Sequence, residues 1–161
     1  MKTEIFIVSH QKDFVWLDWC LKSISKFCSG FSGTTVLVPR RDASALRAMG
    51  HEIKIRTFDE APGLGMLHHM TSECCADVYC YEADFILHTD SDCIFTAPVT
   101  PAEYFRSGKP ILLVEEYARL GDRVPWQPVM SEVMGELCRY ETMRRHPAVH
   151  YRELYGDCRN A

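Results

Sequence analysis

The chain has 161 residues, of which 47% are hydrophobic and 25% charged, a balance that supports a buried core within one domain and excludes global disorder. Lys plus Arg total 18 against 22 Asp plus Glu, a formal net charge of −4, which excludes a uniformly basic surface of the kind that coats nucleic acid. No stretch approaches the roughly 18 apolar residues of a membrane span, and Ile5-Phe6-Ile7-Val8 is cut short by Ser9-His10, too brief for a secretory segment. The expectation is a soluble cytoplasmic protein, one domain over residues 1–161, with its eight cysteines as reduced thiols instead of a disulfide scaffold.

Residues 4–8 form a β-branched and aromatic run ending in polar Ser9-His10, which predicts a buried strand opening to solvent at its carboxyl end. A helix follows, with Asp13 as N-cap and Val15, Trp16, Trp19, Cys20, Ser23, Ile24 and Phe27 as the inward stripe, stopped by Ser29-Gly30. Residues 34–38 predict a second strand. Asp42 then caps a short helix through Met49, Gly50 ends it, and residues 52–58 alternate as a third strand. After a turn at Ala61-Pro62-Gly63-Leu64-Gly65, residues 66–81 read as one helix and 84–88 as a strongly apolar fourth strand. Residues 103–106 suit one helical turn, 111–114 a fifth strand ending at Glu115-Glu116, and 131–144 a last helix that Pro147 interrupts. Strands alternating with helices predict an α/β fold with a mostly parallel, doubly wound sheet, whose ligands sit beyond the carboxyl ends of the strands.

The sharpest chemical feature is Phe85-Ile86-Leu87-His88-Thr89-Asp90-Ser91-Asp92-Cys93. Two carboxylates at i and i+2 on an extended backbone project to one side, at the edge where the sheet binds ligands. Such a pair repels itself unless a cation intervenes. A hard divalent ion, Mg²⁺ or Mn²⁺, is usually held by one or two carboxylates and shares its remaining positions with water and substrate phosphates, so the pattern points to a metal-diphosphate site. The competing reading is a pair of acidic residues in a solvated turn.

Asp90-Ser91-Asp92 at the end of a strand after three βα units resembles the DxD signature of metal-dependent GT-A-fold glycosyltransferases. Further segments are similar to small bacterial and phage members of that group: residues 5–10, Trp16-Leu17-Asp18-Trp19-Cys20-Leu21-Lys22-Ser23-Ile24, Phe95-Thr96-Ala97-Pro98-Val99-Thr100, and residues 141–147. The resemblance implies a nucleotide-diphospho-sugar transferase-like domain, with Asp90 and Asp92 as metal and diphosphate residues and Asp90 also near the ribose or donor sugar. It implies that Ser9 and His10 border the nucleotide pocket and that Pro39 and Arg40 line the base or pyrophosphate. The implied reaction moves a sugar from a UDP-type donor to a hydroxyl, on a glycan, a small molecule or a modified DNA base. Relatives are usually longer and use their carboxyl-terminal portion for the acceptor. Glu115 and Glu116 are the best remaining candidates for a base or acceptor contact, because a carboxylate at the fifth strand's end would face the edge that carries Asp90 and Asp92. A short chain can also complete its pocket by pairing with a second copy.

Other features are weaker. His68-His69 with Cys74, Cys75 and Cys80 lacks zinc-ligand spacing, although His69 or its neighbour can face the donor pocket. Arg144-Arg145-His146 suits a charged helix end or a phosphate contact, Trp16 and Trp19 suit the core, and Trp126 in its Pro-rich stretch suits either packing or stacking on a sugar ring. Two other function classes remain open. One is a non-catalytic or partner-dependent nucleotide-sugar-binding domain. The other is a haloacid-dehalogenase-type phosphohydrolase, whose Asp-x-Asp nucleophile motif normally follows the first strand.

Overall fold

The structure, a computed structural model, describes residues 1–59, 65–121, 126–142 and 147–160. The turn expected around Ala61 to Leu64 and the basic run Arg144-Arg145-His146 lie outside the described residues. Strand β1 (Thr3–Val8) is buried along its whole length, and its alternation sends Ile5 and Ile7 to one face of the sheet and Phe6 and Val8 to the other. Helix α1 (Phe14–Phe27) covers the first face through Leu17, Cys20, Leu21 and Ile24. The expected inward stripe is corrected here. Val15, Trp16 and Trp19 are 69%, 57% and 57% exposed, because Leu17, Cys20, Leu21 and Ile24 make the complete i, i+3, i+4, i+7 set that fits a sheet face.

Strand β2 (Thr34–Pro39), helix α2 (Ala43–Ala48) and strand β3 (Lys54–Phe58) continue the winding, with Ala43 and Leu46 joining the core beneath α1. Gly50 ends α2 at φ +75°, a backbone conformation that a side chain would strain. Helix α3 (Gly65–Glu73) and the single turn α4 (Ala76–Tyr79) replace the one long helix expected there, and Ala76 and Cys80 pack on the second face with Phe6, Val8, Leu37 and Phe58. Strand β4 (Phe85–His88) then returns beside β1, with Thr3 opposite Phe85 and Phe6 opposite His88.

The later part departs further from expectation. Residues 101–104 form a 3-10 turn and lead into a two-stranded hairpin, β5 (Phe105–Arg106) and β6 (Lys109–Pro110). Residues 111–114 form no strand, and Leu112, Leu113 and Val114 are about half exposed. Strand β7 (Glu115–Glu116) pairs instead with β8 (Tyr140–Glu141) in a separate ribbon, and helix α5 (Trp126–Met134) begins before the expected position 131. The fifth strand of the sheet is β9 (Ala148–Tyr151), antiparallel to β4, and it is followed by α6 (Leu154–Asn160). The sheet order is β3-β2-β1-β4-β9, so the expected mostly parallel sheet is present, with an antiparallel edge. The β9 register places Tyr151 against the Phe85 ring at 4.9 Å between centroids, and His88 accepts or donates a hydrogen bond with Tyr155 of α6. A bidentate Asp77–Arg159 ion pair at 2.6 and 2.7 Å fastens α6 to α4.

Candidate functional site

Winding runs from β1 outward to β3 and then jumps back to β4, so the strand order reverses between β1 and β4. In open α/β sheets a crevice forms at such a reversal, beyond the carboxyl ends of the strands. The residues that follow these two strands are Ser9-His10 and Thr89-Asp90-Ser91-Asp92.

The acidic segment is a turn, not the extended backbone expected of it: the Cys93 amide donates to the Asp90 carbonyl at 3.1 Å. The carboxylates nevertheless converge, and ligand atoms of Asp90, Asp92 and Cys93 lie within 4.8 Å of one another. Two contacts with α1 anchor the turn. The Cys20 thiol approaches the Asp90 carbonyl oxygen at 3.7 Å, and the Phe95 amide donates to Ser23 Oγ at 3.0 Å. Burial, with smaller contributions from Cys93 and other neighbours, pushes the Cys20 thiol up to about 12, so it stays a neutral donor at ordinary pH.

Helix α3 contributes a second group. His69, Glu73 and Asp90 also place ligand atoms within 4.8 Å of one another. His69 Nε2 lies 3.4 Å from Glu73 Oε1, and the hydrogen bond to Glu73 raises the imidazole's pKa against the opposing effect of its partial burial. Asp13, Trp16, His69, Asp90, Ser91 and Asp92 line a cleft of about 300 Å³. A second cleft of about 390 Å³ opens at the ends of β2 and β3, lined by Pro39, Arg40, Arg41, Phe58 and Asp59. The His10 ring stands between them, edge-on to Phe58 at 6.2 Å and stacked on His69 at 6.5 Å. A larger cavity of about 720 Å³, with Gly33, Thr34, Gly50 and Lys54 in its wall, lies at the amino ends of β2 and β3, the wrong end of the sheet for the acidic turn.

Asp90, Asp92 and His69 are thus brought together, with His10 beside them. Ser9 reaches the same edge but is only 2% exposed, beneath the surface instead of on it. The hydroxyls of Ser9 and Thr89, buried at the ends of the two central strands, have no hydrogen-bond partner among the described residues. Arg40 lines the neighbouring cleft with its guanidinium engaged by Asp59, at 2.7 and 3.1 Å, so an anion there must compete with that carboxylate. Glu115 and Glu116 lie on the β7–β8 ribbon and line neither cleft, and Glu116 pairs with Arg119 at 3.1 Å. Their expected place at the end of a fifth parallel strand is corrected, because β9 fills that position. Trp126 opens α5, half exposed, and is not a loop residue.

Sequence reasoning missed Asp13, Trp16 and Glu73 as site residues. Glu73 was readable as the i+4 partner of His69 on one helix face, and Trp16 from the better-formed stripe beside it. Each group offers two carboxylates, Asp90 with Asp92 and Asp90 with Glu73, the oxygen donors that a hard ion such as Mg²⁺ or Mn²⁺ prefers, and its third atom is a thiol in the first and an imidazole in the second. No protein-family model matches the chain, and no curated protein matches it.

Proposed function

We propose that this protein is a metal-dependent glycosyltransferase of GT-A type that moves a sugar from a nucleoside-diphosphate donor, with UDP favoured, to a hydroxyl acceptor. The observation that carries the reading is the convergence of Asp90 and Asp92 within 4.8 Å at the point where the strand order reverses. Asp90 with Asp92, or Asp90 with His69 and Glu73, would hold Mn²⁺ or Mg²⁺. The ion supplies Lewis-acid stabilisation of the departing diphosphate when bound. The protein's own groups orient the donor. The roughly 300 Å³ cleft lies at the lower end of ligand-pocket volumes, enough for a diphosphate with part of a sugar. The base then extends past His10 toward Phe58 and Arg40, where an aromatic ring and a cation border the second cleft.

Binding of UDP and UDP-sugars with and without Mn²⁺, measured by calorimetry on the native chain and on Asp92→Ala, tests the reading. Metal-dependent binding that the substitution removes supports it, and equal binding in the two proteins overturns it. A second reading, a donor-binding domain that depends on a partner for transfer, draws on the later segment: Leu113, Val114, Val133 and Leu137 are each at least half exposed, and Glu115 and Glu116 supply no base at the cleft. Donor binding without sugar transfer or donor hydrolysis distinguishes it. The haloacid-dehalogenase reading has less support, because the acidic pair follows β4 and not β1.

A further inference from the structure

A large indole left open to water beside a charged cleft is the least expected feature of this edge. Trp16 is 57% exposed, although its helix has a full aliphatic stripe available for burial, and it shares the cleft wall with Asp90, Ser91 and Asp92. Its neighbour one turn on, Trp19, is equally exposed, but its ring is covered by the Lys22 ammonium at 5.4 Å, itself tied to Asp18 at 2.6 Å. Trp19 is not among the residues lining the cleft.

The two faces of the sheet give the cleft a direction. Alternation along β1 and its continuation puts His10 on the same side as Phe6 and Val8, the face on which α4 packs, and His10 meets Phe58 edge-on and stacks on His69. Trp16 comes from α1, on the face of Ile5 and Ile7. His10 thus stands on the Phe58 side of the acidic turn, while Trp16 lines the cleft at the turn itself. A nucleoside diphosphate laid across the turn with its base toward Phe58 directs whatever is attached to its distal phosphate toward Trp16.

Resting on the nucleotide-sugar reading above, we infer that Trp16 is the platform on which the pyranose ring of the donor stacks, so that it selects a sugar-bearing nucleotide over the bare diphosphate. An indole offers a broad apolar face to the C–H face of a sugar and costs little conformational freedom, since it has only two side-chain torsions. Asp13, which lines the same cleft, can accept a hydrogen bond from a sugar hydroxyl.

The test compares UDP with UDP-glucose and UDP-N-acetylglucosamine, and GDP with GDP-mannose, by titration calorimetry in Mn²⁺. The proteins are the native chain, Trp16→Ala, Trp16→Phe, Trp19→Ala and Asp92→Asn. Trp16 is exposed, so its removal leaves the fold intact, and circular dichroism checks this. The expected result is a loss of about threefold to tenfold in affinity for the preferred nucleotide sugar in Trp16→Ala with affinity for the matching diphosphate unchanged, a partial return in Trp16→Phe, and no change in Trp19→Ala. Equal weakening of sugar and diphosphate, or none of either, overturns the role of Trp16 while leaving the metal-diphosphate site standing, provided that Asp92→Asn abolishes binding. Absence of Mn²⁺-dependent binding of any of these nucleotides to the native chain, or indifference to Asp92→Asn, overturns both the site and the platform.

Discussion

Asp92→Asn should change the stability of the protein in opposite directions with and without ligand. The carboxylate oxygens of Asp90 and Asp92 approach within 4.8 Å, where two unit charges repel by about 0.9 kcal/mol in water and about 3.5 kcal/mol at an effective dielectric of 20. Asp92 is exposed, so the lower figure governs. Removing its charge relieves the repulsion and raises the melting temperature of the ligand-free chain by about 2–4 °C at this chain length. With Mn²⁺ and UDP at a hundred times their dissociation constant, binding adds about 2.7 kcal/mol to the native protein, a rise of about 5–11 °C that the variant forfeits. Thermal unfolding followed by circular dichroism, in chelator and in Mn²⁺ with UDP, reads both effects. A variant less stable than the native chain in chelator refutes the repulsion, and one that keeps the full ligand shift refutes the cation site.

Leu17→Ala empties a fully buried position between α1 and the sheet and should cost about 3 kcal/mol, read as a fall in the urea midpoint with an unchanged slope. The Asp77 carboxyl is held below its ordinary value, chiefly by its hydrogen bond to Arg159. The stability it contributes is therefore present above the unfolded carboxyl's pKa and is lost as the pH falls through the lowered folded value. Asp77→Asn should remove that acid-side loss from a pH series of unfolding curves, whereas an unchanged series would show that the ion pair contributes nothing. Burial raises the thiols of Cys20 and Cys80 to about 12 each. A thiol reagent applied to the native protein should modify exposed Cys74 and spare those two until urea unfolds the chain, as peptide mapping would show.

The alternating strand and helix pattern made β1 to β4 readable, because each strand is a short apolar run with a polar exit, and the acidic turn was legible as the exit of β4. The stripe on α1 was misread for a physical reason. Trp16 and Trp19 are the most hydrophobic-looking pair on the helix, but the sheet accepts the set with unbroken helical spacing, and the indoles turn outward. The fifth strand was misread because residues 111–114 carry stronger β-propensity than Ala148–Tyr151. Pairing beside β4 is decided by what the strand brings with it: Tyr151 against Phe85, and α6 carrying Tyr155 to His88 and Arg159 to Asp77. These are contacts between distant parts of the chain that no local pattern encodes. The partnership of His69 with Asp90 has the same long-range character.

Asp42 has a consequence for recognition. It was expected to cap α2, yet its buried side chain makes no capping hydrogen bond there and accepts one from the Gln11 amide at 2.9 Å. That bond rivets the loop leaving β1 to the loop leaving β2, with His10 on one side of Gln11 and Asp13 shortly beyond. The ordering of these residues is accomplished during folding, so on the proposed reading a nucleotide arriving there would meet a mould already set and would lose less affinity to the entropy of immobilising its receptor.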